Sequence, residues 1–411
     1  MEVIVERGCG LDVHQRTVVA CLLTGAAGTK PTKQLRTFGT TMGELEQLRD
    51  WLKAERCTHV LMESTGVYWV PVYSVLEGSF EIVVGNAQRI RNVPGRKSDV
   101  KDSDWLSQLL RHGLVQKSFV PPKAIRQLRE LLRFRRELVE ARAAERNRLI
   151  KLLESANLKL ASVASDVFGV SGMAMLRALA QGQRDPVQLA ELARGLLRHK
   201  LGPLTQALAG RFEQHHALLL KHQLKRLDET EAHIREVEQD IDRRMEPYRE
   251  QQQRLMEIPG VDRILAATLI AELGVDMSVF KSAGHLASWA GISPGLNRSA
   301  GKDLSAHAPL GNPYIRRALV QAATAATHCK RGYLRDKFYR LKARRGYRRA
   351  IVAIAHKILI AVYHMLSSGS RYKDLGDNYL DLIDRGRVKS QLVRRLQRMG
   401  YEVTLHEKTA A

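Results

Sequence analysis

The chain has 411 residues, with 66 Lys and Arg against 43 Asp and Glu, a formal net charge of +23. That length suits two or three domains, and the basic excess points to a polyanionic partner. Nucleic acid comes first, because phosphate neutralisation supplies most sequence-independent affinity, although a basic housekeeping protein shares the composition. Four cysteines without a CxxC pair form neither a zinc site nor a disulfide framework, which suits a reducing cytoplasm.

In chain order, residues 9–12 end a first apolar strand, 17–23 form a second and 34–38 complete a meander. Residues 42–55 put Leu45, Leu48, Trp51 and Leu52 on one helical face. Residues 58–63 read as a short apolar strand, 67–76 as a helix and 80–84 as another strand. A further helix over 98–111 offers Val100, Leu106, Leu109 and Leu110 for burial. Three strands, helix, strand, helix, strand, helix is the order of an RNase H-like α/β fold, although other mixed folds fit it too. This first domain is expected over 1–120.

Residues 121–250 read as a helical arm. A long amphipathic helix to about 155 is followed by shorter helical stretches broken at Gly169, Gly182, Pro186 and Pro203. A second long helix over 211–246 repeats Leu220, Leu227, Ile234 and Ile241 at heptad spacing, a seam for antiparallel pairing in a coiled-coil hairpin. Residues 251–411 form a mostly helical last domain, basic from 315 to about 367. The N-terminus shows no signal-peptide pattern, and no run of about 18 apolar residues is expected to span a membrane.

Four acids stand out. Asp12 ends the first strand, Glu63 ends the fourth, and Asp99 and Asp102 are one helical turn apart. In an RNase H-like sheet the first and fourth strands are neighbours, so these carboxylates converge. Hard oxygen donors select Mg²⁺ or Mn²⁺, and two such ions can serve phosphoryl transfer. Taken singly, an Asp at a strand end is ordinarily a turn residue and a lone DxxD a solvated face. Glu63 is the stronger case, since Glu is a poor strand former. Asp104 competes for the helix position from a different face.

A second constellation runs from residue 289 to 302 and on to 310–317. Gly291, Gly295 and Gly301 permit close backbone approach to a phosphate, and Arg298, Lys302, Arg316 and Arg317 supply cations. Ser299 sits among them as a nucleophile or a phosphate clamp, with Ser293 and Ser305 as competitors. Upstream, Ile258-Pro-Gly-Val261 reads as a helix-hairpin-helix element whose turn at Gly260 can hold a DNA phosphate, or as a plain tight turn. Arg331 to Arg335 and Lys342 to Arg349 mix arginine with tyrosine, which fits a nucleic-acid surface as well as a solvated basic face.

These residues together resemble the DEDD-type transposases of the insertion-sequence-110 family, the bridge-RNA-guided recombinases. Gly10-Leu-Asp-Val-His14, Glu63 with Gly66, Val67 and Tyr68, and Lys97-Ser-Asp-x-x-Asp102 are similar to the family's RuvC-like domain. Ile258-Pro-Gly-Val261, Gly291-Ile-Ser-Pro294, Arg298-Ser-Ala-Gly-Lys302 and Gly311-Asn-x-x-Ile-Arg316 are similar to its transposase domain. Two positions depart from it: Ala300 precedes Gly301 where glycine often follows the serine directly, and Ser103 stands where alanine is usual. The resemblance implies divalent metal on Asp12, Glu63, Asp99 and Asp102, a phosphoserine intermediate at Ser299, and donor and target DNA. It also implies a structured bridge RNA and homodimers that pair into tetramers. The alternative is a RuvC-like Holliday-junction nuclease using metal-activated water. A binding protein with a decayed site is a third reading.

Overall fold

A computed structural model describes residues 2–64, 66–91, 93, 102–293, 297–299, 302–305 and 311–406. Side chains are described for these except 88, 89, 297–299 and 302–305. The chain divides into two compact units, Met1–Val120 and Pro121–Ala411.

The first unit is built on one five-stranded sheet. Strand β1 (Arg7–Val13) pairs antiparallel with β2 (Thr17–Thr24), and β2 with β3 (Thr32–Gly39). After helix α1 (Met42–Ala54), strand β4 (His59–Glu63) returns parallel to β1. After α2 (Trp69–Leu76), β5 (Glu81–Gly85) lies parallel to β4, giving the order β3-β2-β1-β4-β5. Helices α3 (Ala87–Arg91) and α4 (Asp102–Arg111) complete the unit. The meander followed by parallel strands is thus present, with β3 longer than its apolar pattern suggested.

The central strands are covered on both faces, which explains their nearly continuous apolar sequence. Leu11, Leu22, Val60 and Met62 pack with Leu45, Leu48, Trp51 and Leu52 of α1 and with Val72 and Leu76 of α2. On the opposite face Leu61 meets Ile90 and Leu106, Leu109 and Leu110 of α4. Val100, expected in this helix, lies outside the described residues.

Among its described residues the second unit is helical, apart from one small hairpin. Helix α5 (Lys123–Ser155) precedes α6 (Leu160–Val163), α7 (Val170–Ala180), α8 (Pro186–Glu191) and α9 (Leu201–Leu208). Pro186 and Pro203, expected as breaks, instead occupy first turns, where a missing N–H forfeits no helical bond. Helix α10 (Gln214–Met245) then runs antiparallel to α5. Its heptad residues Leu220, Leu227, Ile234 and Ile241 are all buried. Arg135–Glu238 at 2.6 Å, Arg146–Glu231 at 3.0 Å and Arg226–Glu145 at 3.1 Å stitch the pair along its length. At one end α6–α9 enclose a core with Leu149, Leu153, Leu220 and Leu224, so this arm is more than a bare coiled coil.

Helices α11 (Arg249–Met256), α12 (Arg263–Leu273) and α13 (Ala283–Trp289) follow. Strands β6 (Asn297–Ser299) and β7 (Lys302–Ser305) form an antiparallel hairpin that no apolar alternation announces. Then come α14 (Pro313–Thr327), α15 (Tyr333–Arg345), α16 (Tyr347–Ser368), α17 (Tyr379–Ile383) and α18 (Arg385–Arg398). Helix α16 bears on the expectation that no run of about 18 apolar residues is present. By length and composition it is the one helix among the described residues that is apolar enough to cross a membrane. His356 and Lys357 interrupt its apolar run in sequence. Its Ala350, Ile354, Ile358 and Val362 are buried, and it packs on α13, α14 and α15.

Candidate active site

In β1 the side chains alternate between sheet faces. Cys9 and Leu11 enter the core under α1 and α2, so Gly8, Gly10 and Asp12 face α4. A Cβ on Gly10 would stand 2.5 Å from both the Ser103 carbonyl oxygen and the Ser107 amide nitrogen, and one on Gly8 would stand 3.0 Å from Leu110. The two glycines therefore let α4 lie directly on the strand. Ser103 and Ser107, both buried, keep the helix side of that contact small. Because α4 runs with Ser103 over Gly10 and Leu110 over Gly8, its first residue, Asp102, falls at the Asp12 end.

Glu63 arrives from the neighbouring strand. Leu11 of β1 is in register with Met62 of β4, so Asp12 and Glu63 are the next residues of adjacent parallel strands. Leu61 packs toward α4, and Glu63, two residues on, faces the same way. A cleft of about 320 Å³ at these strand ends is lined by Asp12, His14, Glu63, Arg91, Asp102 and Trp105, among others. Open α/β sheets bind ligands at the carboxyl ends of their strands, and this cleft has that location.

Three of the four predicted acids thus share one cleft. Asp99 lies outside the described residues. Nε2 of His14 is 3.1 Å from Oδ2 of Asp12. Neither His14 nor Arg91 was singled out from sequence as a site residue. For His14 the signal was its two-residue spacing from Asp12, just past the end of β1. Asp104 is accounted for elsewhere: Lys33 Nζ donates to its Oδ2 at 2.5 Å, and Cys21 Sγ lies 3.7 Å from its Oδ1. That hydrogen bond holds the Lys33 ammonium above its usual pKa.

The donor set is all carboxylate oxygen, which fits a hard divalent cation in kind. Among the described residues, however, no group of three Asp, Glu, His or Cys side chains is gathered tightly enough to hold an ion. The described acids are an open set that line a cleft rather than a closed coordination shell.

In the second unit, Ser299 and Lys302 stand opposite each other in the β6–β7 hairpin, as do Arg298 and Asp303. The side chains of Arg298, Ser299 and Lys302 lie outside the described residues. At the base of this segment Gly311 packs on Gly291: a Cβ on Gly311 would stand 2.3 Å from the Gly291 nitrogen. The following residue, Asn312, caps α14 by accepting from the Tyr314 and Ile315 N–H groups. Its Nδ2 donates to Oε2 of Glu272 at 2.7 Å.

Glu272 is buried and was not noticed in sequence, where it sits inside the apolar run of α12. Arg133 of α5 donates to both its carboxylate oxygens, at 2.8 and 2.9 Å, and stacks 3.7 Å from the centre of the Tyr314 ring. Arg316 is exposed in the first turn of α14, and Arg317 lies 3.3 Å from Glu140 of α5. Gly260, at φ +87°, turns the chain between α11 and α12. A Cβ there would stand 2.2 Å from the Ala322 carbonyl oxygen, so this turn is packed against α14.

Comparison with known proteins adds independent findings. A family model for DEDD transposases of IS110 elements, described as "Transposase", matches residues 9–158. A second, described as "Transposase IS116/IS110/IS902 family", matches residues 252–340. A curated relative, the insertion element IS110 uncharacterized 43.6 kDa protein of Streptomyces coelicolor, is 31% identical over 121 residues. That stretch is 29% of this chain and 29% of the relative, so less than a third of the relative's length is spanned. The two models match in order and together cover more than half of the sequence, and the chain belongs to the IS116/IS110/IS902 family of transposases.

Proposed function

We propose that this protein cuts and rejoins DNA strands as a transposase, using the carboxylates of Asp12, Glu63, Asp99 and Asp102 together with the hydroxyl of Ser299. The observation that carries the reading is the shared cleft of Asp12, Glu63 and Asp102 at the carboxyl ends of β1 and β4. The strand order supports an RNase H-like assignment for this unit. Mg²⁺ or Mn²⁺, when bound, would supply Lewis-acid stabilisation of charge on a phosphate oxygen.

The chain's own residues divide the work. Asp12, Glu63, Asp99 and Asp102 supply hard oxygen donors. Ser299 Oγ attacks phosphorus, forming a serine–phosphate ester as the bond to the leaving deoxyribose oxygen breaks. The serine proton is released and the leaving oxygen takes one up, so the phosphodiester bond is exchanged rather than hydrolysed. Arg298, Lys302, Arg316 and Arg317 hold the strand's phosphates, and the backbone N–H of Gly260 is offered to another. Resemblance to the family further assigns donor and target DNA, a structured non-coding guide RNA, and dimers that assemble into tetramers in a bacterial or archaeal cytoplasm.

A second reading, a RuvC-like Holliday-junction nuclease, is favoured by the acids' lining a cleft of the first unit by itself. Incubation with end-labelled DNA and Mg²⁺, followed by a denaturing gel, separates the two. The transposase reading requires label on the protein that disappears in Ser299→Ala. Cleavage with free 5′-phosphate ends, no adduct and full activity in Ser299→Ala overturns it in favour of the nuclease.

A further inference from the structure

The corner between α15 and α16 carries an exposed basic and aromatic surface that the cutting reaction does not use. Between residues 330 and 349 there are ten Lys or Arg and one acid, Asp336. Asp336 is taken up by Arg340, which also pairs with Asp381. Among the described residues, Arg335, Lys342, Arg344, Arg345, Arg348 and Arg349 have no carboxylate within ion-pair distance, and residues 342–349 are all exposed. So many like charges on one short corner repel one another, and a polyanion is the partner that relieves this.

Two tyrosines stand in the middle of this charge. Tyr339 is 47% exposed and Tyr347 is 50% exposed. Both are pinned edge-on to the buried ring of Phe338, at 5.2 and 5.7 Å between centroids. Arg335 lies 4.9 Å and Lys342 5.8 Å from the centre of the Tyr339 ring. The rings are thus held in place at the surface rather than packed away. Duplex DNA keeps its bases stacked inside and offers such rings little. An unpaired strand offers base faces to the rings and phosphates to the cations.

We infer that Tyr339 and Tyr347, with the arginines at 344, 345, 348 and 349, form a binding site for an unpaired nucleic-acid strand. The site rests on the nucleic-acid reading above, and its test does not require catalysis. Full-length protein in EDTA is titrated by fluorescence anisotropy with oligodeoxythymidine, oligouridine and duplex DNA of about 20 nucleotides, enough for several stacked bases. The pair Tyr339→Leu and Tyr347→Leu, which keeps an apolar contact for Phe338, weakens single-strand binding about tenfold or more and leaves duplex binding within about twofold. The pair Tyr339→Phe and Tyr347→Phe binds like wild type, which separates stacking from a folding defect. Arg344→Gln with Arg345→Gln lowers the salt slope for single strands by about 1.4, at about 0.7 per phosphate contact. Whichever of oligodeoxythymidine and oligouridine loses more affinity identifies the strand as DNA or RNA. Unchanged single-strand binding in the leucine pair, or equal loss on duplex DNA, overturns the site. Inactivity of the protein on DNA would bear on the proposed function alone.

Discussion

The amide of Gly10 donates a hydrogen bond to Oγ of Ser107 at 2.8 Å, fastening α4 to the strand that carries Asp12. The Ser107 hydroxyl in turn donates to the Cys21 carbonyl at 2.5 Å, with the Ser103 carbonyl 2.9 Å away. Gly10→Ala puts a methyl group 2.5 Å from two backbone atoms of α4, neither of which can rotate away. The expected result is a loss of about 1–3 kcal/mol of stability, the usual range for overpacking, and a displaced Asp102. Ser107→Ala, which leaves the buried Gly10 amide unpaired, loses a similar about 1–3 kcal/mol. Denaturant melts of both variants check this, and wild-type stability in Gly10→Ala would refute the account of the close contact.

The two aspartates of α4 face different surroundings, and their variants should separate. Asp102→Asn removes a charge from the cleft shared with Asp12 and Glu63, and DNA cleavage is expected to fall at least about 100-fold. Asp104→Asn removes the charge paired with the half-exposed Lys33 and alters the weak contact with Cys21, so stability changes by about 1 kcal/mol or less and cleavage is retained. Equal losses in the two variants would remove Asp102 from its assigned role.

These contrasts show what the sequence could reveal. Asp12 and Glu63 were legible because each interrupts an apolar strand at its end, where period-two alternation assigns a face. The seam of Leu220, Leu227, Ile234 and Ile241 was legible because a heptad repeat is a long signal. The β6–β7 hairpin was not, since three- and four-residue strands are held by backbone bonds and carry no side-chain period. Asp104 and Asp102 differ by two residues, and only the packing of α4 on Gly10 decides which faces the cleft. Glu272 was hidden for the opposite reason. It lies in an apolar stretch and its partners come from 139 residues before it and 40 after.

Glu272 should be among the most sensitive positions for folding in the second unit. Its carboxylate receives Arg133 in a two-pronged pair and Asn312 besides, while Arg129 donates to the carbonyls of Ala271 and Glu272. Glu272→Ala leaves these cations without their anion in a buried setting, a loss expected at about 3–5 kcal/mol. Adding Arg133→Ala should cost less than the sum of the single changes, because the stranded charge is gone. A double-mutant cycle by denaturant melts measures this directly. Strict additivity would mean that the pair does not act as a unit.

The thiols give a pH-dependent test. Burial pushes the Cys57 thiol up to about 12, and burial raises Cys9 well above its ordinary value, with further contributions from Cys57 and Cys21. In the unfolded chain these groups ionise near about 8.5. The folded protein therefore holds protons that the unfolded chain gives up. This part of the stability is complete below about pH 8.5 and is lost as pH rises toward about 12. The melting temperature should fall on going from pH 8 to pH 10, about the middle of that window, and fall less steeply in Cys57→Ala. At neutral pH a thiol reagent should label Cys329, which is only partly buried, well before Cys9, Cys21 and Cys57. All four should react once the chain is unfolded in denaturant. Rapid labelling of Cys9 in the native protein would show that the β1 contact under α1 opens readily, contrary to the packing around Leu11 and Met62.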